Sequence, residues 1–242
     1  AGLARTACVI GETDEEQRCE LFLRQLDPAW PPLNAPSGET GRAATVTRSR
    51  VGSVGGAVLA GGSSSRMGRD KAFLEVGGIP MLSSVAGVLD GVVDAGVVVV
   101  GGDADGIRTL GLTSVADRFP GDGPLGGILT ALNHFRGRCD HVVVLSCDLP
   151  QASERSVRAL LAAVGEAPAA IVPVLGGRRQ WMHCCWPVVA LGLLETAFAA
   201  GERAPRRALG GMAVVEVSGL DPASLRDVDT PEDLDESDRT GR

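Results

Sequence analysis

Gly55-Gly56-Ala57-Val58-Leu59-Ala60-Gly61-Gly62-Ser63-Ser64-Ser65-Arg66-Met67-Gly68-Arg69-Asp70-Lys71 decides how the chain is read. A short apolar run, suited to a strand buried on both faces, passes straight into a loop of glycines and serines. With so little side-chain bulk, the backbone N–H groups of such a loop can converge on an anion. Arg66, Arg69 and Lys71 against Asp70 leave the loop positive. Lys71 is also the one lysine among 23 basic residues. Its ammonium is a compact point charge that fits between phosphate oxygens, where a guanidinium fork is wider. The loop is neither G-x-x-x-x-G-K-[ST] nor G-x-G-x-x-G, which removes the commonest ATPase and dehydrogenase readings.

Outward from this stretch, apolar runs recur at Val97–Val100, Val142–Leu145, Ala170–Val174 and Ala213–Val217. Helical stretches fall between them at Pro80–Leu89, Leu125–Phe135, Ser153–Val164 and Val189–Ala199. Pro80 and Pro124 stand near helix starts, where a missing N–H costs nothing. The alternation predicts an α/β fold, one doubly wound domain with a mostly parallel sheet between helix layers. Ligands of such sheets bind beyond the carboxyl ends of the strands.

Three further segments fit that mouth. Leu145-Ser146-Cys147-Asp148-Leu149-Pro150 ends a buried run on a carboxylate, a hard oxygen ligand suited to Mg²⁺ beside substrate phosphates. The competing reading makes Asp148 a cap for the helix opening near Ser153, and Cys147 a core thiol. Asp117-Arg118-Phe119-Pro120-Gly121-Asp122-Gly123-Pro124 follows a short strand and leads into a helix whose N-terminus favours negative charge. Asp227-Val228-Asp229-Thr230-Pro231 puts two carboxylates at i, i+2, with Thr230 as the cap of a terminal helix; metal binding by Asp229 is the open alternative. Together these parts suit a nucleoside triphosphate and Mg²⁺ without a covalent nucleophile.

Composition narrows the classes. Of 242 residues, 44% are apolar and 22% charged, which excludes wholesale disorder. A net charge of −7 argues against a nucleic-acid surface. The most apolar stretch, 85–102, is broken by Asp90 and Asp94 and falls short of a membrane span. The acidity is local: residues 219–242 hold 8 acidic and 3 basic side chains. The six cysteines include no C-x-x-C, and Cys184 and Cys185 would point to opposite faces of a strand, so reduced thiols in a cytoplasmic protein are expected. Thr13-Asp14-Glu15-Glu16 fits a capping box opening a helix to about Leu26, and Asp27–Ser53 is rich in Pro, Gly, Ser and Thr. Residues 1–53 are therefore expected to be an extension or linker, and 54–242 the folded domain.

Leu59–Lys71, Gly123-Pro124-Leu125-Gly126-Gly127-Ile128, Cys147-Asp148-Leu149-Pro150 and Asp227-Val228-Asp229-Thr230-Pro231-Glu232-Asp233-Leu234 stand in the order of the molybdenum cofactor guanylyltransferases, the MobA family, which this chain resembles over about residues 55–235. The resemblance implies a Rossmann-like three-layer α/β/α nucleotidyltransferase domain. It also implies transfer of GMP from GTP to molybdopterin-bound molybdenum, with release of pyrophosphate. Leu59, Ala60, Gly61 and Gly62 would lie along the nucleotide, Lys71 would neutralise phosphate charge, and Asp117 would make a second GTP contact. Asp148 would bind Mg²⁺ and nucleotide, with Asp229 a second metal ligand, and Arg66 would stabilise the departing pyrophosphate. A cofactor chaperone or a receiving molybdoenzyme would be the protein partner. Many members read N-x-N-T-P-E where this chain has Asp227 and Asp229. Many carry an Asn after the third strand, where Gly101-Gly102 stand here, and Trp181 replaces the proline of a Q-P-L stretch lining the second substrate. The rivals are a cytidylyltransferase of the same pathway, whose members usually read L-A-A-G and D-Q-P, another nucleotidyltransferase acting on a small phosphorylated substrate, and a non-catalytic cofactor-binding protein.

Overall fold

The computed structural model describes residues 52–61 and 71–228. Ten strands occur among them: β1 (Val54–Leu59), β2 (Glu75–Val76), β3 (Ile79–Pro80), β4 (Val97–Val100), β5 (Ser114–Val115), β6 (His141–Ser146), β7 (Ala169–Leu175), β8 (Arg178–Arg179), β9 (His183–Pro187) and β10 (Ala213–Val217). The helices are α1 (Met81–Asp90), α2 (Ala104–Thr109), α3 (Pro124–Phe135), α4 (Glu154–Ala162) and α5 (Leu191–Ala199). Strands β2 and β3 form a small separate hairpin.

The main sheet runs β10-β7-β9-β6-β1-β4-β5, with β8 paired to β7. Pairing is parallel from β6 through β1 and β4 to β5, and again between β7 and β10. Strand β9 lies antiparallel between β6 and β7. The sheet is thus mixed but mostly parallel, as its apolar runs predict. From β1 the chain moves one way to β4 and β5, then returns to the other side of β1 as β6. That reversal is the switch point at which doubly wound sheets hold ligands.

Both sheet faces are dry because successive side chains alternate between them. Ala57, Leu59, Val142, Val144, Cys184 and Trp186 pack with α3 and α5. Val58, Val99, Val143, Leu145 and Cys185 pack with α1 and α4. The two adjacent cysteines therefore face opposite layers, as their spacing predicts, and burial pushes the Cys185 thiol up to about 12. Gly55 sits where any Cβ would lie 2.6 Å from the Phe135 ring, so its missing side chain seats α3 on β1.

The sequence reading missed α2, whose first turn is capped by Asp103 accepting from Asp105 N and Gly106 N at 3.2 Å each. The helix expected from Val189 begins at Leu191, after a 3-10 turn over Val188–Ala190. Among the described residues no helix is long and apolar enough to cross a membrane.

Candidate functional site

Parallel register sets the ends of three strands level: Leu59 pairs with Val100 on one side and Ser146 on the other. Beyond them opens a cleft of about 470 Å³, also lined by Gly61, Gly101, Asp117 and the Gly123-Pro124 start of α3. Ala60 N donates to Val100 O, Gly101 N to Val115 O, and Cys147 N to Leu59 O, which fastens the loops above the sheet. Gly101 has φ +75, and a Cβ there would come within 3.2 Å of both Gly61 Cα and Gly61 N. Only glycine meets the conformation and the close approach together. The floor of the cleft is consequently peptide backbone, which any ligand can approach closely.

Asp117 reaches this floor from the loop after β5. Its Oδ1 accepts from Phe119 N at 3.0 Å and lies 2.9 Å from the Thr130 hydroxyl. Its Oδ2 is the atom nearest to where a Gly61 Cβ would stand, at 3.7 Å. The carboxylate is thereby held by one oxygen and presents the other to the loop after β1.

Asp148 follows the end of β6, half-buried, with Oδ1 shielded from solvent and lacking a hydrogen-bond partner. Burial pushes this carboxyl above the ordinary aspartate range and the nearby Asp227 adds to the rise, while the Ser146 hydroxyl and the Lys71 ammonium pull against it. Residue 228 links the groups: Val228 N donates to Asp148 O at 2.9 Å, and Lys71 Nζ donates to Val228 O at 3.1 Å. The lone lysine and the strand-end carboxylate, far apart in sequence, thus share one neighbourhood. The capping alternative for Asp148 fails, because Ser153 Oγ accepts from Ser156 N and caps α4. Cys147 is buried in the layer that holds α1 and α4, the place expected of a core thiol. An unsatisfied hard oxygen with a second carboxylate nearby fits Mg²⁺, which takes one or two carboxylates and completes its shell from water and substrate phosphate. Among the described residues no group of three or more acidic, His or Cys ligands assembles. Gly62, Arg66 and Asp229 lie outside the described residues.

A family model for the MobA-like NTP transferase domain matches residues 56–216. The chain belongs to that family. The molybdenum cofactor guanylyltransferase of Rhodobacter capsulatus is 34% identical over 185 residues, covering 75% of this chain and 93% of the relative. That of Rhizobium meliloti is 33% identical over 191 residues, covering 73% and 87%. Among solved structures, the molybdopterin-guanine dinucleotide biosynthesis protein A of Archaeoglobus fulgidus superposes with a TM-score of 0.63 over 77% of this chain and 98% of that one, at 22% identity. The fold of this MobA-like transferase is therefore that of the Rossmann-like nucleotidyltransferases.

The MobA-like chain carries a second cleft that the sequence reading did not assemble. Gly177, Arg178, Arg179, Trp181, Arg206, Arg207 and Glu216 surround about 780 Å³. Arg179 pairs with Glu216 and Arg207 with Glu202, both at 2.6 Å. Arg178 and Arg206 are exposed and make no ion pair among the described residues. The Arg179 guanidinium lies 5.9 Å from the Trp181 ring centroid. Met182 lines the first cleft and Trp181 the second, so the two meet across one peptide bond. The signal in the sequence was the Arg178-Arg179 and Arg206-Arg207 pairs, which only the parallel pairing of β7 with β10 brings together.

Proposed function

We propose that this MobA-like transferase moves GMP from GTP onto molybdopterin-bound molybdenum cofactor, giving the guanine dinucleotide cofactor and pyrophosphate. The observation that carries the proposal is the joining of Lys71 and Asp148 through residue 228, with Asp148 two residues beyond Ser146, which lines the cleft. The names of the two curated relatives support the choice of GTP and molybdopterin.

In this reading Leu59, Ala60, Gly61 and Gly62 run along the nucleotide, and Asp117 accepts a donor of the nucleoside through Oδ2. A carboxylate there disfavours a phosphate, which keeps the triphosphate toward Lys71. A terminal phosphate oxygen of molybdopterin attacks the α-phosphorus, the bond from the α-phosphorus to the bridging oxygen of the β-phosphate breaks, and pyrophosphate leaves with that electron pair. Lys71 and Arg66 neutralise the leaving group. Asp148 with Asp229 would hold Mg²⁺, which when bound supplies charge neutralisation at phosphate oxygens. The arginine cleft takes the anionic second substrate, with Trp181 as a stacking face. The proposal includes a folded unit over 54–242 and a cytoplasmic setting, since a nucleoside triphosphate is consumed.

Pyrophosphate release is measured with Mg²⁺, molybdopterin and each of GTP, CTP, ATP and UTP in turn. GTP is expected to give the signal. A preference for CTP makes the protein the cytidylyl counterpart, and silence with all four nucleotides ends the enzymatic reading.

A further inference from the structure

Thr130 is a buried hydroxyl in a helix otherwise turned to the core, only 2% exposed. Its Oγ1 accepts from Arg118 N at 3.1 Å and lies 2.9 Å from Asp117 Oδ1 and 3.0 Å from Gly126 O. One hydroxyl proton cannot serve both acceptors fully, and the anionic carboxylate is the stronger. Phe119 N donates to the same Asp117 oxygen at 3.0 Å. Oδ1 is therefore saturated from the protein side, and Oδ2 remains to face Gly61 and the cleft.

We propose that Thr130 is a positioning residue for the nucleotide: its hydroxyl clamps Oδ1 of Asp117 so that Oδ2 alone is offered to the ligand. The inference rests on the nucleotide reading of this cleft. A carboxylate pinned by one oxygen is restrained from swinging toward the triphosphate and keeps Oδ2 aimed at the ligand. Valine has the shape of threonine without the hydroxyl, and serine keeps the hydroxyl without the methyl.

The test uses the full chain with GTP and molybdopterin. Thr130→Val should raise KM for GTP by about tenfold with kcat within about twofold of wild type, the scale of one hydrogen bond to a charged group. Thr130→Ser should restore the wild-type KM. A merely structural role would lower thermal stability without this split, so the same substitution is made on Asp117→Ala. There Thr130→Val should leave KM where Asp117→Ala alone set it. A wild-type KM in Thr130→Val overturns the inference, as does an equal rise in both backgrounds. Should the wild-type protein turn over GTP while either result holds, the positioning role falls alone; should it turn over no nucleotide, both readings fall.

Discussion

The cleft at the carboxyl ends of β1, β4 and β6 is lined by glycines and edged by the Asp117 carboxylate, whereas the cleft beyond β7 and β10 is walled by guanidinium groups and an indole. Glycine lets a ligand lie against peptide N–H groups, so the first cleft has the surface that the proposed nucleotide reading needs. The second meets its ligand with long side chains, which suit a bidentate anion and a flat ring. In the proposed reading one fold divides two jobs by material, backbone against side chain, and the two clefts meet at the Trp181–Met182 peptide.

The largest effect should come at Asp148. Asp148→Ala is expected to lower pyrophosphate release by at least about 10³-fold, because charge neutralisation at transferring phosphates is the main contribution to such catalysis. Its melting temperature should equal or exceed that of wild type, since a buried oxygen without a partner is removed. Lost folding in a thermal melt would show that the carboxylate serves the core instead.

The residue after Met182 titrates. His183, on β9, has both ring nitrogens buried without a hydrogen-bond partner, and burial lowers it from 6.5 to about 4. The unfolded chain takes a proton near 6.5 that the native state refuses until about 4, so stability falls as pH drops through that window. The loss is about 3 kcal/mol from this residue. Burial lowers His134 and His141 in the same direction. Denaturant unfolding across the window should give a flatter pH dependence for His183→Leu than for wild type. Parallel curves would mean the native state accommodates the charged ring.

The difference between the clefts also explains what the sequence could tell. Runs such as Val97–Val100 and Val142–Leu145 name their strands because a strand buried on both faces has little alternative composition. Gly61, Asp117 and Asp148 stood out because each is chemically odd just beyond a strand, and Lys71 because it is the one lysine of the chain. Gly101 looked like a lost side chain; the φ of +75 and the approach to Gly61 show a backbone requirement that composition does not carry. Thr130 was invisible, since a β-branched residue in an apolar helix looks like packing until Asp117 is seen beside it. The position of β9 was hidden for a different reason: it was not among the apolar runs read as strands, and its antiparallel insertion between β6 and β7 depends on partners distant in the chain. The arginine cleft needed that same long-range pairing.

A smaller effect separates the clefts directly. Arg206→Ala should raise KM for molybdopterin by about tenfold, the scale of one charge-assisted hydrogen bond, and leave KM for GTP unchanged. Its partner in the test is Trp181→Phe, which keeps an aromatic face and should cost less. If KM for GTP rises as much as that for molybdopterin, the two clefts are not distinct in function.

The smallest expected effect concerns the chain before the first strand. Ser53 O accepts from Asp140 N at 2.8 Å, and the Ser53 hydroxyl and Val54 N both donate to Asp94 Oδ1. These bonds fix the start of β1 against the loops before β4 and β6, while among the described residues neither cleft is lined by anything before Leu59. Removing residues 1–50 should therefore leave both KM values and the melting temperature unchanged. Removing 1–53 should cost about 1–2 kcal/mol in denaturant unfolding, from the Ser53 bonds it deletes. Loss of activity on the shorter cut would place a part of one cleft in the first 50 residues; equal stability of the two truncations would show that β1 needs no anchor at its start.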